Sequence, residues 1–425
     1  MTGRFGTTKA EYQPPPKQRI EGRKGHEIDR RQFLQAMAGV GLVTAATLLT
    51  RQLSLPVLSQ VFAQSTSQTL QVRRRLSKLH VEGARIVDSL GTEIKLSGFN
   101  VHAKGSSDPA AWQPHEDDIK WIKERGFNCI RIVVDWSDFE LVQGVYDEAF
   151  FANYLDPLVS WCEKYGVYVM IDMHQWNWSP YWGGGDGFPT WACNMYRQDD
   201  SGMEECAVDF WKGVGQGAVT KEKLVDAWRY IAARYSGRSV IAFYDLFNEP
   251  EGFANGDAHV DEIGPYVMDL YNNKLVPAIR SVDSDTICLY FPISNPDTMS
   301  RQTQPNVAWC KNWYHYSYED TGVEYTTDRY RAKLITDFKP YYDRVCGEFG
   351  VPLLQTEIGC DFTLPGNLLW VDDSLKCMSD LASPYGDKGH FFWWRYGKGR
   401  EWAPRNEDGS DRPVVQILQN HVSPI

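Results

Sequence analysis

The sequence predicts a single (β/α)8 TIM barrel of the α/β class, spanning residues 91–425. Eight short apolar runs alternate with amphipathic helical patterns, which is the sequence form of that fold. The length of 425 residues is compatible with one domain, because such barrels take about 250 residues and exceed 400 when they carry insertions. Two of the apolar runs lead into glutamates, Glu249 and Glu357. They are separated by about three βα units of roughly 35 residues each.

The predicted strands are short and rich in apolar residues. In chain order they are 94–99, 129–134, 167–173, 240–247, 287–291, 307–313, 352–356 and 391–394. Helical patterns separate most of them, at 116–126, 148–166, 220–235, 265–282, 330–350 and 372–381. Two intervals are irregular. An insertion at about 175–217 precedes the fourth strand, and the interval between the fifth and sixth runs leaves room for little helix.

Residues 1–63 have the pattern of a twin-arginine export signal. Arg30 and Arg31 precede an uncharged apolar run at 37–49, which is shorter than the about 20 residues that a membrane-spanning helix needs. A small-x-small cleavage pattern ends at Ala63. We therefore expect an exported protein whose mature chain begins near Gln64, with residues 64–90 as a linker. An uncleaved membrane anchor is the alternative.

Charge and composition narrow the classes of partner. Removing nine basic and four acidic residues with the signal leaves 35 basic and 51 acidic residues, a formal net charge of about −16. Such a field repels phosphate backbones, so we expect no nucleic-acid partner. The 16 Trp, 22 Tyr and 19 Phe suit a neutral oligo- or polysaccharide. We also expect a monomer with no stable membrane insertion after signal cleavage.

The nine cysteines occur singly, without the CxxC pairs of a zinc site, so we expect neither a metal nor another cofactor. Cys193 and Cys206 both fall in the Gly-, Trp- and Asp-rich insertion. Export would expose them to an oxidising compartment. The expectation is a disulfide between these two.

The two glutamates suit a retaining glycosidase, in which one carboxyl group protonates the leaving oxygen and the other attacks the anomeric carbon. Pro250 disfavours the α region for Glu249 and ends its strand, which places that carboxyl at the barrel rim. Arg131 would be costly to bury unpaired, so we expect it to hold Glu357 ionised. His174 and His315 are expected to line the cleft.

Six motifs follow one another along the predicted strands. They are Gly98-Phe-Asn100, Asn128-Cys-Ile-Arg131, Val169-Met-Ile-Asp-Met-His174, Phe247-Asn248-Glu249-Pro250, Gln355-Thr-Glu357-Ile-Gly and Gly389-His-Phe-Phe-Trp393. Together they resemble glycoside hydrolase family 5, the cellulase family of retaining β-glycosidases on (β/α)8 barrels. The resemblance covers nearly all of residues 94–400.

The resemblance implies roles for individual residues. Glu249 is the acid/base and Glu357 the nucleophile, with Asn248 meeting the sugar 2-hydroxyl. We expect Trp393, rather than its neighbour, to be a sugar platform, because alternation turns only one of the two inward. One departure is a serine, Ser317, where the family has a tyrosine near the nucleophile. The further residues expected to bind substrate are Tyr316, Trp176, Trp178 and Asn100.

The insertion contains the residues from which we predict the substrate class. Its Gly-Asp-Gly-x-Pro-x-Trp segment, 185–191, resembles the endoglycoceramidase branch of the family. That branch adds a β-sandwich after the barrel, for which the 32 residues after Trp393 leave no space, so we favour a β-linked glucan. Glycolipid cleavage and β-mannan hydrolysis are alternatives. From other classes, a catalytically silent carbohydrate-binding barrel would lack one of the acids, and a metal-dependent barrel would need a ligand cluster.

Overall fold

The computed structural model describes residues 76–104, 113–183, 186–250, 260–293, 296–315, 324–400 and 402–422. The predicted signal region and residues 64–75 of the predicted linker lie outside these ranges. Residues 74–425 form one compact unit. Within the described residues, no helix is both long enough and apolar enough to cross a membrane.

Eight parallel strands close into a barrel, which confirms the predicted fold. Each predicted run overlaps one strand, and chain neighbours pair around the ring until the last strand meets the first. The strands are β3 (Ser97–His102), β4 (Cys129–Asp135), β5 (Tyr168–His174), β6 (Ile241–Asp245), β7 (Ile287–Tyr290), β8 (Val307–Tyr314), β9 (Leu353–Gly359) and β10 (His390–Trp393).

A short hairpin precedes the barrel. Its antiparallel strands are β1 (His80–Glu82) and β2 (Arg85–Val87), so these residues are not the linker that the sequence predicts. The side chains of Leu79 and Ile86 join a buried apolar cluster with residues from the amino ends of the strands, such as Tyr168 and Leu354. We call this cluster the barrel floor. The sequence does not predict the hairpin, because strands of three residues are too short for an alternating apolar pattern to be recognised.

Helices surround the barrel and cover its apolar outer face. Three of the predicted helices contain π-helical turns, at 151–155, 270–275 and 343–349. The helical segments are Glu116–Glu124, Trp136–Phe139, Glu148–Phe150 with Phe151–Leu155 and Asp156–Tyr165, Thr190–Cys193, Asp200–Lys212, Gly215–Tyr235, Val260–Asp269 with Leu270–Leu275 and Val276–Arg280, Thr327–Tyr342 with Asp343–Phe349, Asn367–Ala382 and Pro413–Asn420, and the 3-10 turns are Pro180–Trp182, Pro296–Thr298 and Ser383–Tyr385.

The insertion folds over the carboxyl ends of β4 and β5. The amide of Ser137 donates to the carbonyl of Gly187 at 2.7 Å, which ties the insertion to the end of β4. Cys193 and Cys206 are both buried in it, with their sulfur atoms 3.9 Å apart. A disulfide bond is about 2.05 Å long. The expected disulfide is therefore absent from this structure, which holds two neighbouring free thiols.

Candidate active site

The mouth of the barrel is lined by polar side chains from the inward faces of the strands. Side chains alternate along a strand, so residues two positions apart share a face. The cluster is buried and comprises Asn100 on β3, Arg131 on β4, Asp172 on β5, Asp245 on β6, Asn312 on β8 and Glu357 on β9. A barrel places catalytic residues at this end, where distant parts of the sequence converge.

Arg131 is the centre of this cluster and has no exposed side-chain surface. Its Nη1 donates to Glu357 Oε1 at 2.7 Å, and its Nε donates to Asp245 Oδ2 at 2.8 Å. Asp172 Oδ1 lies 2.9 Å from Nη2. Burial lowers the pKa of Arg131, but the three carboxylates around it outweigh that effect and raise it. The guanidinium is therefore a fixed positive charge that three acids share. One of the three is Glu357, the partner that the sequence predicts.

Glu357 is held at both carboxyl oxygens. Arg131 donates to Oε1, and the Tyr314 hydroxyl donates to Oε2. Burial raises the pKa of Glu357 to about 8. Arg131 and Tyr314 lower it, and the charge of Glu249 raises it further. Burial thus outweighs the two donors, and the pKa of Glu357 stays above that of an ordinary glutamate.

Glu249 lies four residues beyond the end of β6 and is partly buried. Its φ of +42° is in the left-handed region, which is uncommon for a residue with a side chain and is concentrated at functional sites. Asn312 donates to Glu249 Oε1 at 2.7 Å. The Gln175 side chain donates to the backbone carbonyl of Glu249 at 2.5 Å and to that of Asn248 at 3.0 Å.

A chain of side-chain hydrogen bonds joins the two glutamates. Asn312 contacts Glu249 and also donates to Asn248 Oδ1 at 3.1 Å. Arg131 donates to the same Asn248 oxygen at 2.9 Å and to Glu357. The structure thus brings Glu249, Glu357, Arg131 and Asn248 together, as the sequence predicts.

His174 lies at the carboxyl end of β5 with its Nδ1 2.8 Å from Asp172 Oδ2. Burial, followed by the charge of Arg131, lowers its pKa to about 3. The ring is therefore neutral, and its Nδ1 shares a hydrogen bond with Asp172 Oδ2. Its face stacks on the indole of Trp394, with centroids 5.4 Å apart and planes at 15°.

Trp393 is not the sugar platform that the sequence predicts. Its side chain has no exposed surface, and its indole N–H donates to the carbonyl of Trp402 at 2.8 Å. Trp394 is the partly exposed ring at the mouth, next to His174. The register of β10 against β9 shifts between Phe391 and Trp393. That irregularity breaks the simple alternation on which the choice between the two tryptophans rests.

Of the other predicted binding residues, two are buried, one is exposed and one lies outside the described residues. Trp178 is buried and stacks on Phe188 at 4.4 Å, so it is part of the insertion's own core rather than a sugar-binding wall. Asn100 is buried too and accepts from Arg131, which makes it a positioning residue. Trp176 is 52% exposed. Tyr316 lies outside the described residues.

A cavity of about 520 Å³ opens beside Glu249, between β8 and the helix Thr327–Tyr342. We call it the aromatic cavity. His315 lines it, packed against Trp370 at 5.0 Å, and burial lowers the pKa of His315 to about 4, so that ring is neutral. The described residues lining the cavity also include Glu249, Lys311, Asn312, Trp313, Tyr314, Tyr325, Tyr330, Lys333, Leu334, Asp337 and Trp370.

Sequence reasoning missed three residues that contact the carboxyl groups or their backbone. Asn312 and Tyr314 are two residues apart on β8 and reach Glu249 and Glu357, respectively. Tyr314 makes the contact with Glu357 that the family resemblance leads one to expect from a tyrosine at the position of Ser317. Gln175 follows His174 directly and holds the backbone of Glu249. Period-two alternation along the sixth strand is the signal that could have found Asn312 and Tyr314.

The acids of the mouth are held by donors on the protein itself. Arg131 contacts three of them, and Asn312 contacts Glu249. Across the described parts of the chain, no group of three or more His, Cys, Asp and Glu residues could hold a metal ion.

Comparison with known proteins gives one family. The model described as cellulase (glycosyl hydrolase family 5) matches residues 87–359. Endoglycoceramidase I of Rhodococcus hoagii is 26% identical over 258 residues, which are 55% of this chain and 47% of that protein. Endoglycoceramidase of Cyanea nozakii is 30% identical over 49% of each chain. The chain spans about half the length of these curated relatives.

Solved structures agree with the sequence comparison. A lactosyl-enzyme intermediate of endo-glycoceramidase II from a Rhodococcus species superposes with a TM-score of 0.63 and 26% identity, over 78% of this chain and 80% of that one. The same enzyme in a ganglioside GM3 complex gives a TM-score of 0.68 at 22% identity, over 80% and 81% of the two chains. That second likeness concerns the fold.

Proposed function

The chain belongs to glycosyl hydrolase family 5, and we propose that it is a retaining β-glycosidase whose substrate joins a sugar to an apolar, lipid-like leaving group. The observation that carries this proposal is the aromatic cavity, which contacts Glu249 but not Glu357. A glycosidase acid contacts the oxygen between sugar and leaving group, whereas the nucleophile contacts the sugar. A cavity that reaches only the acid therefore lies on the leaving-group side.

The proposed reaction has two steps. First, Glu249 gives its proton to the glycosidic oxygen while ionised Glu357 forms a covalent bond to the anomeric carbon, and the leaving group departs as an alcohol. Glu249, which has given up its proton, can now act as a base. Glu249 then takes a proton from water as the water attacks the anomeric carbon and releases Glu357.

In this scheme, Arg131 and Tyr314 stabilise the negative charge of the nucleophile, Glu357. Both donate to Glu357 and lower its pKa, opposing the effect of burial. Asn312 and Gln175 serve the acid/base, since they hold its carboxyl and its backbone carbonyl. Charge-assisted hydrogen bonds of this kind are among the stronger contacts in proteins.

The lining of the aromatic cavity favours an apolar leaving group. Trp313, Tyr325, Tyr330, Leu334 and Trp370 supply most of its apolar wall, and burying such rings dominates binding energetics. A lipid chain bound against this wall leaves water and gains about 25 cal/mol per Å² of apolar surface. The relatives named endoglycoceramidase support the same substrate class.

A β-linked glucan is the second candidate, and Trp176 is the observation that favours it. Trp176 lies in the insertion two residues after His174 and is 52% exposed, and an exposed indole ring suits stacking on a sugar. Endoglucanase B of Acetivibrio thermocellus, another relative, is 24% identical over 40% of this chain and 29% of that protein. A cleft built for glucan would bind sugars on both sides of the cleaved bond.

The test is a substrate panel of a β-glucosylceramide, a β-glucan and a β-mannan, scored by product analysis. We expect release of the sugar from the lipid, with kcat/KM for the lipid glycoside at least tenfold above that for a glucan oligomer. Replacing Leu334 with Gln should lower that ratio, because it puts an amide on the apolar wall. A glucan preference would support the second candidate instead.

Catalytic roles are tested separately with Glu249→Ala and Glu357→Ala on an activated aryl glycoside. Azide should rescue the Glu249 variant and give a β-azide, because the covalent intermediate still forms. Rescue of the Glu357 variant should give the α-azide. Full activity in both variants would refute the mechanism, and sugar binding without turnover by the wild type would indicate a silent carbohydrate-binding barrel.

Export by the twin-arginine signal at residues 1–63 is a further part of the proposal, supported by the sequence pattern alone. Fractionation of cells producing the full chain should place the enzyme outside the cytoplasm, and replacing Arg30 and Arg31 with Lys should retain it inside.

A further inference from the structure

A second cavity, of about 240 Å³, lies at the carboxyl end of β4 under the insertion. We call it the acidic cavity. Three carboxylates line it, those of Asp135, Asp138 and Asp186, together with the hydroxyl-bearing residues Ser137 and Thr190. It shares no lining residue with the aromatic cavity.

Asp135 is the residue that indicates a ligand in this cavity. It is the last residue of β4, its side chain is only 5% exposed, and its Oδ1 has no hydrogen-bond partner among the described residues. A buried carboxylate oxygen without a partner costs free energy unless a donor is bound to it. Burial raises the pKa of Asp135 well above its usual range, and the charges of Asp186, Asp138 and Asp172 add to that effect.

The charges that act on Asp135 are mostly negative. Lys104 is the cation that acts on Asp135, and it is paired with Asp138 at 3.1 Å. His174, the register partner of Asp135 on β5, is neutral and hydrogen-bonded to Asp172. A cationic ligand with several N–H donors would offset the repulsion among the carboxylates and satisfy Asp135.

The chemistry favours an ammonium group over a metal ion. A metal ion needs carboxylates that converge on one point, and no such group of three occurs among the described residues. A primary ammonium has three donors that reach acceptors at separate positions. The three carboxylates that line the cavity supply such acceptors.

The position of the acidic cavity assigns it to the sugar side. Asp135 shares the inward face of β4 with Arg131, four residues earlier, and pairs in register with His174. β4 and β8 lie opposite each other in the eight-stranded ring, so the acidic cavity lies across the mouth from the leaving-group cavity. We propose that it binds a protonated amino group on the sugar portion of the substrate, as in a 2-amino-2-deoxyhexose unit. This inference rests on the proposed glycosidase function.

The test compares two aryl disaccharides that differ in one group. Both have a glucosyl unit next to the cleaved bond, and the distal unit is either glucose or glucosamine. We expect kcat/KM for the amine to exceed that for the neutral substrate at least tenfold at pH 6.5. In Asp135→Asn and Asp186→Asn the ratio should fall towards one. Asp380→Asn, a matched loss of charge on the exposed helix Asn367–Ala382, should leave it unchanged.

Binding is measured in parallel, so that the inference does not depend on turnover. Titration calorimetry of the full chain should show tighter binding of the free amino disaccharide than of its N-acetylated form, which keeps the substituent and loses the charge. Equal binding of the two, or equal kcat/KM for the two substrates, would overturn the inference. Stabilisation by Ca²⁺ that competes with the amine would overturn it in favour of a metal site. Loss of turnover on both substrates, with the binding difference retained, would count against the proposed function alone.

Discussion

The floor and the mouth of the barrel are built from the same strands, but the floor is apolar and the mouth is charged. At the floor, β9 contributes Leu354 to an apolar cluster that the N-terminal hairpin closes. Three residues later the same strand contributes Glu357 to a buried network of charges. Apolar burial stabilises a fold by itself, whereas buried charges do so only when each is paired. The barrel thus separates stability from chemistry along the length of a strand, and the following substitutions test that separation.

The largest contrast is expected between Glu357→Gln and Leu354→Ala. Loss of the nucleophile should lower kcat by about 10⁴-fold or more, and the free energy of unfolding should stay constant or rise, because burial disfavours the charged form. Leu354→Ala removes a fully buried side chain and should cost about 2–5 kcal/mol of stability. Denaturation curves and kcat, normalised to folded protein, measure both effects. A floor variant that stays stable but loses kcat would break the separation.

Arg131→Met should affect both properties, because the Arg131 side chain contacts three buried acids. Removing one partner of a buried ion pair costs about 3–5 kcal/mol, and here Asp172, Asp245 and Glu357 are all left without it. The pKa of Glu357 should rise further, so the activity that remains should shift to higher pH. Arg131→Lys keeps the charge and should recover part of the stability. Wild-type stability in the Met variant would show that the three acids are protonated together.

Tyr314→Phe tests the charge of the nucleophile without opening a cavity. The hydroxyl lowers the pKa of Glu357, so its removal should raise that pKa. The nucleophile must be ionised to attack, hence the acidic limb of the kcat/KM profile should move to higher pH. Hydrogen bonds to charged groups are worth about 1.5–3 kcal/mol, which predicts a loss of roughly 10- to 100-fold at pH 6. Tyr325→Phe, in the aromatic cavity, serves as the control and should leave the limb in place.

The sequence predicted the fold because fully buried parallel strands, such as β4 and β5, appear as short, nearly continuous apolar runs. It predicted Glu249, Glu357 and Arg131 because each lies in or directly after an apolar run, where an ionisable side chain is costly unless it is paired. It failed for Trp178, whose ring fills the insertion's core. Exposure of a loop ring depends on tertiary packing that no local pattern contains. Tyr314 was missed because its strand runs one residue beyond the predicted run.

The smallest expected effect on activity is that of Trp394→Ala, which we compare with a substitution of its neighbour Trp393. Trp393 is fully buried, so Trp393→Ala should lower stability by about 3–5 kcal/mol. Trp394 is partly exposed and stacks on His174 at the mouth, so Trp394→Ala should chiefly raise KM, by about tenfold for a ring worth about 1.5 kcal/mol. Trp394→Phe keeps a flat face and should recover most of that loss. Measuring KM and the free energy of unfolding for all three variants decides the point. If Trp393→Ala instead raised KM at unchanged stability, its ring would be the sugar platform and the mouth would begin one residue earlier on β10.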